Sequence, residues 1–82
     1  MNEIQGKQGT YIWNDGKKYY GDWFNNKMHG QGHLVWPDGK QYIGQFMEDK
    51  RHGEGKFIWK DGREYNGGWE SGKQCGVGLY LN

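Results

Sequence analysis

A 23-residue period runs through this chain and leaves it few ways to fold. Tyr19, Tyr42 and Tyr65 keep that spacing, as do Gly21, Gly44 and Gly67, and Trp23, Phe46 and Trp69. His29, His52 and Cys75 fall in step, each followed by glycine. Gly9, Gly32, Gly55 and Gly78 form a four-member series. Trp13, Trp36 and Trp59 repeat too, as do Asp15-Gly16, Asp38-Gly39 and Asp61-Gly62. Residues 19–41 and 42–64 share nine identities in 23. A period of this length marks a repeat array in which each unit buries its apolar face only against its neighbours. The divisions are one domain over 1–82, with a partial unit at 1–18 and repeats at 19–41, 42–64 and 65–82, the last truncated.

Each unit reads as two strands and two turns. Tyr-x-Gly-x-aromatic predicts strands at 19–24, 42–47 and 65–69. Gly-x-Gly running to Trp predicts strands at 31–36 and 54–59, with 77–81 as a third and about 8–13 opening the chain. The Asp-Gly pairs suit a type I turn closed by a left-handed glycine. Segments 25–30, 48–53 and 70–76 read as longer polar loops. The expected fold is all-β: a single-layer, twisted antiparallel meander of about seven strands, built from 23-residue hairpin repeats. Alternation puts Tyr19, Gly21 and Trp23 on one face. The expected pairing sets Trp23 opposite Gly32, Gly21 opposite Leu34 and Tyr19 opposite Trp36, so that aromatics cover cross-strand glycines.

Composition supports strands. Sixteen glycines and no alanine among 82 residues make a poor helix former. Five Trp, six Tyr and three Phe with a net charge of only +1 exclude a disordered tail. No apolar run exceeds three residues, as in Tyr11–Trp13, so nothing reads as a spanning helix. Met1–Gln5 lacks a signal-peptide pattern. One cysteine, Cys75, makes no internal disulfide, and a reducing setting is expected. Balanced charge argues against nucleic acid.

These residues resemble the MORN repeat (membrane occupation and recognition nexus), whose unit looks like Tyr-x-Gly-x-Trp-x-x-Gly-x-x-His-Gly-x-Gly followed by Asp-Gly. Tyr19, Gly21, Trp23, His29, Gly30, Gly32, Asp38 and Gly39 match, as do Tyr42, Gly44, Phe46, His52, Gly53, Gly55, Asp61 and Gly62. Tyr65, Gly67, Trp69, Gly72, Gly76 and Gly78 form the third set. Asn26 and Asp49 stand where the family often has glycine, and Cys75 replaces His. The resemblance implies an elongated single-layer sheet. It also implies scaffolding, protein binding, self-association and phospholipid contact, in the cytoplasm, at the cytoskeleton or at the cytoplasmic face of a membrane.

No enzyme chemistry, metal site or cofactor is expected. Asp15, Asp38 and Asp61 read as turn formers. His29, His52 and Cys75 lie in a row at roughly 10 Å intervals, too far apart to share one ion. The histidines read as loop residues bonding to backbone, and Cys75 as a tolerated loop residue. The candidate partner surface is the aromatic-glycine face: Tyr19, Trp23, Trp36, Tyr42, Phe46, Trp59, Tyr65 and Trp69. Its expected ligand is a helix or extended segment of another protein. The alternative is a phospholipid-binding accessory, for example of a phosphatidylinositol phosphate kinase or junctional protein, with Lys27, Lys50, Arg51 and Lys73 on headgroups. The first and last strands are open edges, and Val77, Leu79, Tyr80 and Leu81 leave the last one apolar, so a homodimer or end-to-end assembly is also expected.

Overall fold

The computed structural model describes residues 7–82. All regular structure among them is strand: β1 (Lys7–Ile12), β2 (Lys18–Phe24), β3 (Lys27–Val35), β4 (Gln41–Met47), β5 (Lys50–Ile58), β6 (Glu64–Glu70) and β7 (Lys73–Leu81). They form one antiparallel sheet in sequence order, β1 to β7. The described part measures 44 × 30 × 15 Å, as a single layer should. The seven-strand meander anticipated from the repeat is the observed fold.

The Asp-Gly turns behave as their chemistry dictates. Trp13 N–H donates to Lys17 O at 2.8 Å and Gly16 N–H to Trp13 O at 3.0 Å. The Asp15 carboxylate accepts the Lys17 amide at 2.9 Å. Gly16, Gly39 and Gly62 sit at φ 100°, 102° and 97°, where a side chain is disfavoured.

The other connections differ from the sequence reading. Segments 25–30, 48–53 and 70–76 are not long loops. They are two-residue turns at Asn25-Asn26, Glu48-Asp49 and Ser71-Gly72, with β3, β5 and β7 beginning directly after them. All six residues have positive φ, from 50° to 83°, the primed geometry that matches strand twist. Glu48 and Ser71 are poor residues for it. Contacts with the preceding hairpin hold it in place. Asp49 N–H donates to Met28 O at 3.0 Å, and the Asp49 carboxylate accepts Met28 N–H at 2.8 Å. One unit on, Gly72 N–H donates to Arg51 O at 3.0 Å. His29, His52 and Cys75 therefore lie in strands, not loops.

The register also differs from the expected one by two residues. Gly21 pairs with Gly32 and Tyr19 with Leu34. The two-residue turn sets Phe24 against Lys27, and a bulge then places His29, Gly30 and Gln31 opposite Asp22 alone. The result is a row of glycines across the sheet: Gly9, Gly21, Gly32, Gly44, Gly55, Gly67 and Gly78 are successive partners.

Candidate functional site

The glycine row forms the floor of the aromatic face. A methyl group on Gly32, Gly55 or Gly78 would run into the ring of Tyr19, Tyr42 or Tyr65. The aromatic-over-glycine device is therefore present, but tyrosine supplies it diagonally, where tryptophan was expected. Each ring crosses the floor and delivers its hydroxyl to a carbonyl three residues on. Tyr19 donates to Asp22 O at 2.8 Å, Tyr42 to Gln45 O at 2.9 Å and Tyr65 to Gly68 O at 3.2 Å. Those carbonyls belong to the residues facing the bulges. Asp22 and Gln45 also accept Gln31 N–H and Glu54 N–H through their side chains, at 2.9 and 2.7 Å. The sequence reading passed over this role, although a polar acceptor at 22 and 45 between glycine and aromatic was its signal.

Above the floor the rings interlock edge to face. Trp23 meets Tyr19 at 4.9 Å, Tyr19 meets Phe46 at 5.2 Å, and Phe46 meets Tyr42 at 5.0 Å. Trp69 meets Tyr42 and Tyr65, both at 5.4 Å. Interplanar angles of 82–89° suit the ring quadrupoles, and each contact is worth about 1 kcal/mol beyond burial. Trp23 and Trp69 fix their indoles by donating to Gly9 O and Gly55 O at 3.1 and 3.3 Å. Phe46, in the same register, has no such donor.

Self-cover is the main correction to the candidate partner face. Tyr19, Tyr42, Phe46, Tyr65 and Trp69 are buried, together with Met28, Leu34 and Phe57. They are core of a sheet that has no second layer. Trp23, Trp36 and Trp59 stay partly exposed, and Trp13, outside the expected set, joins them. Trp13, Trp36 and Trp59 each carry the basic residue of their own turn over the ring: Lys17 at 4.7 Å, Lys40 at 5.6 Å and Arg63 at 5.8 Å.

Among the residues expected at headgroups, Arg51 is not free. Its guanidinium lies 4.7 Å from the Trp69 ring centre and 5.3 Å from that of Phe57, and it donates to Gly72 O at 2.8 Å. Desolvation pulls it below the usual arginine range. Met28 holds the equivalent place one unit earlier, in the core. Lys27, Lys50 and Lys73 are exposed at the starts of β3, β5 and β7. Lys27 lies 3.7 Å from Glu48. Because the arginine acts mainly as a packing group, Arg51→Met is expected to leave stability within about 1 kcal/mol of the parent, while Arg51→Ala costs about 2 kcal/mol. Urea denaturation of both variants checks this; an equal loss would assign the effect to the charge.

Asp15, Asp38 and Asp61 lie in exposed turns, as expected of turn formers. Backbone donation from Lys40 and Arg63 holds the exposed Asp38 and Asp61 carboxyls below their ordinary value, so neither is a proton donor near neutrality. Among the described residues no three His, Cys, Asp or Glu side chains gather as a metal site.

An open sheet of successive hairpins, its aromatic face packed on itself, defines the chain as a β-hairpin repeat protein. The MORN-repeat family model matches residues 8–18, 19–41, 42–62 and 65–81, and the chain belongs to that non-catalytic repeat family. No curated protein matches it.

Proposed function

We propose that this chain is a non-enzymatic interaction module that binds a segment of another protein along its row of partly exposed tryptophans. The observation that carries this reading is the division within the aromatic face. Tyrosines and inner rings make a fixed platform, while Trp13, Trp23, Trp36 and Trp59 lie at its accessible margin. Half-buried indoles on a rigid support lose little entropy on binding and are the side chains that anchor interfaces. At the β1 end Tyr11, Trp13, Trp23, Met28 and Asp49 line a cleft of about 700 Å³, wide enough for an apolar anchor side chain. The fitting ligand is an extended or helical segment with apolar anchors. The phospholipid reading is weaker, because Arg51 is engaged and Lys27 is paired. Of the four residues expected at headgroups, that leaves Lys50 and Lys73, against the about four to eight a lipid-binding cluster needs.

Selection of displayed peptides against the 82-residue chain tests the proposal. Peptides with apolar anchors should be enriched, and Trp36→Ala should weaken their binding at least tenfold while the circular dichroism spectrum is retained. Unchanged affinity in a folded Trp36→Ala/Trp59→Ala variant would exclude the tryptophan row as the site.

A further inference from the structure

The tryptophans divide by what their indole N–H groups do. Trp23 and Trp69 use theirs inside the sheet, on Gly9 O and Gly55 O. Among the described residues, the indoles of Trp13, Trp36 and Trp59 have no protein acceptor. A half-buried indole N–H ordinarily has a hydrogen-bond partner, so these three serve water or a ligand.

The same three form a row. Ile12, Val35 and Ile58 lie in one cross-strand line through Lys18 and Gln41, and each tryptophan is the next residue. The row therefore crosses the strands at the Asp-Gly end of the sheet. Its members stand two strands apart, about 9.6 Å. Phe57 fills the interval between Trp36 and Trp59, its ring centre 5.6 and 4.8 Å from theirs. Each tryptophan is also fixed by its own turn. Trp36 N–H donates to Lys40 O and Trp36 O accepts Gly39 N–H, both at 3.0 Å, so the row is set before a ligand arrives.

We infer, resting on the proposed role of the tryptophan row in binding a protein segment, that the segment is a proline-rich, acidic polyproline II helix. Such a helix presents one face every three residues, at about 9.3 Å, which matches the row. A β-strand returns to one face at about 6.7 and 13.4 Å, both out of step with it. An α-helix comes near at seven residues, about 10.5 Å, but its carbonyls are occupied by its own amides. The polyproline II backbone has no internal hydrogen bonds. Its carbonyls are open to the three indole N–H groups, while prolines at i, i+3 and i+6 lie on the three rings. Charge selects an acidic sequence. Lys17, Lys40 and Arg63 lie over the rings, and Lys60 is exposed in the same line of turns. The carboxylates of Asp15, Asp38 and Asp61 are turned onto the amides of Lys17, Lys40 and Arg63, at 2.9, 3.1 and 3.1 Å. Lys40 and Arg63 also pair with Asp38 and Asp61 at 3.4 and 2.8 Å, but exposed pairs are weak and leave the cations available to a ligand carboxylate.

Titration of the 82-residue chain with four synthetic peptides, followed by calorimetry, tests this. The first peptide is Pro-Glu-Ala repeated four times. The second has the same composition with no two prolines three or six residues apart. The third is Pro-Lys-Ala repeated four times, and the fourth is an acidic amphipathic helix with leucine anchors. The first is expected to bind at least about tenfold more tightly than the second and the third. Trp36→Phe keeps an aromatic ring and removes the indole N–H, and should weaken the first peptide about fivefold with an unchanged circular dichroism spectrum. Equal affinity for the two proline spacings, equal affinity for the glutamate and lysine peptides, or a Trp36→Phe variant that binds like its parent would each overturn the inference. A helical peptide that binds through Trp36 while the proline peptides do not would overturn it and leave the tryptophan row as a binding site. Absence of binding by all four at about 1 mM would remove both readings.

Discussion

Gly55→Ala is expected to destabilise this protein by at least about 3 kcal/mol, out of a total on the order of 4–12 kcal/mol for a chain of this size. The added methyl would lie 2.5 Å from Cε1 of Tyr42 and closer still to its hydroxyl. Tyr42 has no exposed surface and is wedged edge-on between Phe46 and Trp69, so the ring has nowhere to go. The control is Gly62→Ala. It adds the same methyl at φ +97°, where no atom lies within 4 Å, and should cost only about 1 kcal/mol of backbone strain. Thermal melts separate the two: Gly55→Ala should fall by more than about 12 °C and Gly62→Ala by less than half of that. Equal losses would mean that glycine is required for its backbone freedom and not for the ring above it.

Raising the pH should unfold the protein through its buried tyrosines. Desolvation is the leading cause in each case, and it pushes Tyr42 up to about 12 and raises Tyr19 and Tyr65 as well. The unfolded chain loses a tyrosine proton near 10. Stability tied to the neutral hydroxyl is therefore complete below pH 10 and is lost as pH rises toward 12. For Tyr42 alone the loss is about 2 kcal/mol after allowance for solvent screening. Tyr42→Phe should cost about 1 kcal/mol at neutral pH, through the lost bond to Gln45 O, yet lose less stability between pH 9 and 11.5. Urea titrations at the two pH values check this. A Tyr42→Phe variant as alkali-sensitive as its parent would show that other groups drive the transition.

The two results bear on one arrangement, in which a tyrosine lies across a glycine of the next strand and ends on the bulge carbonyl. Tyr19, Gly21 and Gly32 marked it in the sequence, because alternation and the repeat placed them on one face. The diagonal fit over Gly32 did not follow from those residues. It depends on the bulge at His29–Gln31, which the Asp22 carboxylate braces by accepting Gln31 N–H. The candidate partner face was legible to a similar depth. Periodicity identified eight aromatics as one face, and packing then buried five of them, Trp69 included, and left Trp23, Trp36 and Trp59 at the margin.

The sequence by itself determined the period, the strand order, the Asp-Gly turns and the sorting of aromatics and glycines to one side. These rest on chemistry within a few residues: strand alternation, and the left-handed glycine of a five-residue turn. Tertiary structure alone decided the tight turns, the register and the place of Arg51. Glu48 and Asp49 accept positive φ because Asp49 bonds both backbone groups of Met28, 21 residues away. Arg51 leaves solvent because Trp69, Phe57 and the Gly72 carbonyl meet it from the next hairpin. Such contacts join residues from successive repeats, and their energy exists only once one hairpin has stacked on the next.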